Sequence, residues 1–242
     1  MLGYPDRAVQ LSDDRDAHAR RRGHPFDLGY VVTFGGQVWD LRCEPVPILA
    51  RVEEAERLGR AHSLPFVSEV MAQLMKGLAW LRAGRLGESI LQLRGAIEKG
   101  NAGGVLSWMP YFRAALAEGL ALSGDLEGGL SLIEESLTQI ARPGWEERSH
   151  LAEVLRLKGW MLQRQGKLDA AEDNYLASLD VAREQQAKSW ELRTSTSLAR
   201  LWQSQGKRKE ALDLLKPVYD WFTEGFDTKD LIEAKALIEE LA

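Results

Sequence analysis

Two stretches decide how this chain folds: Gly159–Ala171, GWMLQRQGKLDAA, and Ala199–Ala211, ARLWQSQGKRKEA. Each has a small residue, a bulky one three positions on, a glycine four after that and a second small residue five later. Working outward, the glycine and the small residue after it recur as Gly3/Ala8, Gly84/Ser89, Gly124/Gly129, Gly166/Ala171 and Gly206/Ala211. Cys43/Ile48 stands imperfectly in the remaining slot, and successive anchors are 40 to 42 residues apart. Such a period without strand-like alternation is the mark of stacked helical pairs, each burying apolar surface only against its neighbours. The expectation is an all-α, right-handed solenoid of about twelve helices.

The offsets around each anchor give the packing. Seven residues before it stand Gly36, Gly77, Ala117, Gly159 and Ala199; four before it stand Trp39, Trp80, Leu120, Leu162 and Trp202. Past it come Val52, Leu93, Ile133, Tyr175 and Leu215, then Ala55, Ala96, Ser136, Ser178 and Val218. Spacings of three, four and seven put these positions on one face of each helix. Small residues let two antiparallel helices approach closely, and the bulky residue fills the space beside them. The anchor glycine is expected to end the first helix in the left-handed conformation.

These residues resemble the tetratricopeptide (TPR) repeat. TPR units are about 34 residues long, so each unit here is about six to eight longer, and the extra length is assigned to the outer helix ends. HEAT and armadillo units are nearer this length, but the glycine-anchored spacing favours TPR-like pairs. The units run 1–23, 24–63, 64–104, 105–143, 144–187 and 188–224, with a closing helix over 227–242 as part of one array. Pro25, Pro65 and Pro110 suit first helical turns. Pro217 falls inside a helix and is expected to kink it. Asp227 is expected to cap the last helix, whose stripe is Leu231, Ala234, Ile238 and Leu241. At the other end, Gly3 falls where the first helix of a pair would be finishing. Loss of upstream sequence is the favoured reading, and a polar cap over about Pro5 to Arg22 is the alternative.

From Lys188 to Leu241 the sequence also resembles the closing segment of large bacterial signalling ATPases. In that family a class III adenylate cyclase or DNA-binding head precedes an NTPase domain and a TPR-like array. Similar arrays end LuxR-type regulators of the maltose-activator kind. The resemblance implies the array only.

Composition limits the partners. With 242 residues, 28% charged and a formal net charge of −5, the chain lacks the basic excess of a nucleic-acid surface. One cysteine, Cys43, excludes an internal disulfide and suits a reducing compartment. The opening residues have no signal pattern and no stretch has the apolar length of a membrane span, so a cytoplasmic location is expected. Walker A, H-E-x-x-H, C-x-x-C and G-x-S-x-G motifs do not occur. His18, His24, His62 and His150 have no second ligand at helical spacing and are expected at surfaces or helix ends. Adjacent acids such as Glu53/Glu54 are expected to be solvated. No catalytic residue, cofactor or metal is expected.

In TPR-like arrays the first helix of each pair lines the groove. That places Tyr30, Gln37, Asp40, Met71, Leu78, Tyr111 and Glu118 along the N-terminal part of a candidate groove. Glu153, Arg156, Trp160, Arg164, Arg193, Arg200 and Gln203 line the C-terminal part. The arginines around Trp160 could hold an acidic peptide through forked hydrogen bonds; pairing with Glu153, Glu191 and other helix neighbours is the competing, and favoured, reading. The expected function is a non-catalytic sensor or interaction module ending a multidomain signalling ATPase. It would engage a protein or peptide in the groove, the upstream NTPase domain, or both. The alternative is a free-standing adaptor.

Overall fold

A computed structural model describes every residue except Glu146. Twelve α-helices and no strand are found among the described residues. The chain divides into two compact units. Residues 5–125 hold α1 (Pro5–Arg22), α2 (Pro25–Leu41), α3 (Pro45–Ala61), α4 (Ala72–Arg82), α5 (Leu86–Ala102) and α6 (Met109–Leu122). Residues 126–242, joined by residues 1–4, hold α7 (Leu126–Ile140), α8 (Leu151–Arg164), α9 (Leu168–Glu184), α10 (Lys188–Ser204), α11 (Arg208–Asp220) and α12 (Lys229–Leu241).

The anchor positions do what their spacing demands. Gly84, Gly124, Gly166 and Gly206 have φ between +74° and +103°, and Cys43 adopts the same left-handed backbone at +61°. Each turn is closed by the same two backbone bonds. At Gly84 these run from Gly84 N–H to Leu81 O (3.0 Å) and from Arg85 N–H to Trp80 O (2.8 Å). Trp39, Leu120, Leu162 and Trp202 accept the equivalent longer bond from Glu44, Asp125, Lys167 and Lys207. The bulky residue four before the anchor therefore also supplies the carbonyl that closes the helix end. A second left-handed series, at Gly23, Ser63, Gly104, Gly144, Gln186 and Gly225, follows the other helix of each pair.

Close approach falls where the small residues are. A Cβ added at Gly77 would lie 2.6 Å from Leu93 Cγ, and one at Gly159 would lie 2.9 Å from the Tyr175 ring. Ser89 Oγ donates to Gly77 O at 2.8 Å, tying the two small positions of that pair together. Ala199 and Ala211 are fully buried in one apolar cluster with Leu215, Leu231 and Leu237. Sequential helices pack on each other within each unit, and even-numbered helices also touch the next even one: α2 on α4, α4 on α6, α8 on α10, α10 on α12. This arrangement gives each unit one face made of even-numbered helices alone.

Local details refine these expectations. A π-helical segment, Phe66–Met71, follows Pro65 and leads into α4, its last turn closed by Ala72 N–H to Val67 O. Pro217 lies inside α11, as expected. The α12 cap position is Thr228, not Asp227, and its hydroxyl turns back to Gly225 O at 2.7 Å. Leu237 rather than Ile238 completes the buried stripe of α12. Glu54 is not simply solvated either: both its oxygens accept from Arg20 at 2.6 and 2.8 Å, joining α1 to α3. That bond holds the Glu54 carboxyl below its ordinary range.

Gly159→Leu and Ala199→Leu are expected to lower stability by roughly 1–3 kcal/mol through overpacking. Gly166→Ala should cost about 1–2 kcal/mol, because its left-handed backbone disfavours a side chain although the space around it is open. Gly87→Ala, in an open helical position, should instead stabilise by about 0.8–1 kcal/mol. Urea denaturation of the four variants checks the order.

Candidate functional site

The even-helix face of residues 5–125 combines an aromatic row with a buried charge clamp. Phe26, Tyr30 and Phe34 follow one another on α2 at helical spacing. Their rings are 6.3 and 4.2 Å apart, and Phe34 meets Trp108, just before α6, at 5.4 Å. Phe26 and Tyr30 are exposed, at 40% and 42%. Beside them an open cleft of about 580 Å³ lies between α1 and α2, with Leu11, Ala19 and Val31 in its lining and Asp14, Arg15 and His18 among its polar residues. Gln37, one turn beyond Phe34, keeps a buried side-chain nitrogen without a hydrogen-bond partner.

At the end of this row, Arg82 on α4 reaches both flanking even helices. Its Nε donates to Asp40 of α2 at 2.8 Å, and its Nη1 donates to Glu118 of α6 at 3.0 Å. The Tyr111 hydroxyl donates to the second Asp40 oxygen. Burial works against the guanidinium charge, but Asp40 and Glu118 outweigh it and raise the Arg82 pKa well above its ordinary value. Met71, Leu78 and Tyr111 are buried, so these three candidate groove residues build the wall behind the face and offer a ligand no surface. Of the other candidates on these residues, Tyr30 is exposed, and Gln37 and Glu118 are half-buried.

Residues 126–242 repeat the clamp with different residues. Arg193 on α10 donates to Glu153 of α8 at 3.4 Å and to Asp230 of α12 at 2.6 Å. Arg156 grips Glu153 through two bonds of 2.7 and 2.8 Å. Arg200 pairs with Glu233, Gln203 with Glu240, and Arg164 lies over the half-buried Trp160 ring at 5.2 Å. Of the four arginines expected around Trp160, only Arg164 lies on its ring, Arg156 and Arg193 meet through Glu153, and each of the four has an internal partner. Glu191 is taken as well, by Arg183 and Lys188.

His150 is at a helix end, as expected, and what differs from a surface residue is its burial. At the start of α8, its ring is 6.1 Å from Trp190 and its Nδ1 3.0 Å from Ser149 Oγ. Burial pushes its pKa down to about 4, against the attraction of Glu153.

Sequence reasoning missed Arg82. The signal was present, since the partners lie about one repeat apart: Asp40 and Arg82 by 42 residues, Arg82 and Glu118 by 36, Glu153 and Arg193 by 40. Opposite charges one period apart on first helices mark this bridging. No helix among the described residues is long and apolar enough to cross a membrane.

A family model for the tetratricopeptide repeat matches residues 110–135, from the first turn of α6 round the Gly124 turn into α7. Among solved structures the chain is similar to BtubC (BKLC) from P. vanneervenii, with 15% identity and a TM-score of 0.57 over 98% of this chain and 89% of that one. It is also similar to MamA, with 12% identity and a TM-score of 0.46 over 80% and 90% of the two chains. No curated protein matches the sequence. The repeat match and the BtubC likeness identify a TPR-like helical-repeat fold.

Arg82→Met leaves the Asp40 carboxylate buried and unpaired and is expected to cost about 3–5 kcal/mol. Arg200→Ala, at an exposed pair, should cost no more than about 1 kcal/mol; chemical denaturation separates the two. For His150 the folded pKa lies below the unfolded value of about 6.5, so the unfolded state takes up the proton first. Its contribution is whole above that pH and is lost as pH falls towards 4. His150→Gln should flatten the slope of stability between pH 6.5 and 4 relative to the parent chain, as read from urea midpoints across that range.

Proposed function

We propose that this chain is a non-catalytic interaction module that takes a partner protein segment on the even-helix face of residues 5–125. The observation that supports it is the aromatic row Phe26–Tyr30–Phe34–Trp108 beside an open cleft with apolar and charged lining. Aromatic side chains give large contact area at low entropic cost, and charged residues around an apolar pocket exclude wrong partners more than they add affinity. A partner would insert an apolar side chain beside Phe26 and Tyr30 and lie along Phe34 towards the Arg82 clamp. The paired arginines of residues 126–242 are poorer anchors, because a ligand carboxylate would first have to displace Glu153 or Asp230.

The wider context we propose is the C-terminal repeat array of a multidomain signalling ATPase with a cyclase or transcriptional head. Support comes from the resemblance of Lys188–Leu241 to the closing segments of that family. Differential binding of a partner to two states of the array would then bias the upstream domain. A free-standing adaptor would use the same aromatic face and lack the upstream domain.

The double variant Tyr30→Ala/Phe34→Ala is expected to lose the partners that the parent chain retains in affinity capture from its own cells, while keeping its helical circular dichroism. Capture of the same set by both chains would reject the aromatic face.

A further inference from the structure

Ala187, which opens α10, has no side chain able to cap the helix. The acceptor comes instead from residues 1–4, which pack with residues 126–242. Met1 O takes a hydrogen bond from the Ser189 N–H at 2.9 Å, engaging a donor that the first turn of a helix leaves unpaired. Gly3 comes next, buried, with φ of +93°. A Cβ there would stand 2.5 Å from Trp221 Cζ3 and 2.8 Å from Lys188 Cβ, so only glycine fits between these two side chains. Tyr4 then sets its ring edge-on to Trp221 at 5.4 Å. Leu2 points outward, 61% exposed, and takes no part.

A backbone acceptor on a helix N–H, a slot that admits only glycine and an aromatic edge on tryptophan together can read a short peptide that bends at a glycine. We infer that Lys188, Ser189 and Trp221 form a peptide site for a segment bent at a glycine that an aromatic residue follows, which the chain fills with its own residues 1–4. A partner segment of the same chemistry must displace them to bind. The site is separate from the aromatic row at Tyr30 and Phe34 and stands or falls independently of it.

The test compares the full chain with its Gly3→Val variant, in which a β-branched residue meets both the closed slot and a forbidden backbone. Hydrogen exchange of the Ser189 amide should become at least roughly tenfold faster in the variant, while amides in the middle of α10 keep their protection. The peptide Met-Leu-Gly-Tyr-Pro-Asp, added to the variant, should restore Ser189 protection and shift the Trp221 indole resonance. The parent chain should need at least about tenfold more peptide for the same shift, because its tethered copy competes at high effective concentration. Trp221→Ala in the variant background should abolish the response, and a peptide with valine at its third position should give none. Unchanged Ser189 exchange in Gly3→Val overturns the inference. So does equal peptide affinity in parent and variant, or a variant whose lost protection the peptide fails to restore. Loss of protection throughout α10 would make residues 1–4 a structural strap and likewise reject the peptide site.

Discussion

The fold depends on how closely two antiparallel helices can approach at one point. At Gly77 and Gly159 one added carbon would come within 3 Å of the Leu93 or Tyr175 side chain on the partner helix. Interiors at crystal-like density respond to such intrusion by moving backbone, so the small residue sets the axial register of the pair. The left-handed anchor seven residues later then fixes where the helix stops and the chain reverses. Together these constraints give the pairs within each unit similar geometry, and even-numbered helices meet one another there. Buried hydroxyls fit the same close spacing: Ser178 donates to Ala152 O at 2.6 Å and sits 2.8 Å from Thr194 Oγ1, linking α8, α9 and α10.

Close packing leaves the even-helix faces with charged groups to satisfy, and the chain solves this twice in the same way. A central arginine, Arg82 or Arg193, bridges acids on the two flanking even helices. Once desolvated, such a triad adds little net stability over an apolar replacement, but removing one member leaves a buried charge behind. The clamps therefore hold the relative placement of three helices and are poor places to receive a ligand. The recognition surface we propose on residues 5–125 is therefore the aromatic row and the cleft beside Tyr30, away from the Arg82 clamp.

The features legible in the sequence are those that only one or two residue types can satisfy. Glycine at a left-handed helix end recurs because other residues are strained there, and the period followed from Gly84, Gly124, Gly166 and Gly206. Cys43 was legible by position alone, since its spacing placed it in a slot its side chain does not favour. The second left-handed series was only partly visible, because Ser63 and Gln186 hold two of its places without a glycine to mark them. Arg82 and His150 were missed for a different reason. An arginine near a helix end and a histidine before a leucine read as surface residues until the neighbouring helix supplies Asp40 or Trp190. Burial of a polar group is a property of the stack, and local spacing does not encode it.

The two even-helix faces differ in how far their own chain already satisfies them. On residues 126–242, Arg156 and Arg193 hold Glu153, and Arg164 lies on Trp160. A ligand arriving there competes with interactions that cost nothing further in translational freedom, so it must offer more than the internal partner does. On residues 5–125, Phe26 and Tyr30 remain exposed beside a cleft. On the proposed reading, the same repeat geometry yields one face open to association and one guarded by internal competition. The difference lies in which side chains occupy the even helices, and the backbone pattern that generates both faces is unchanged.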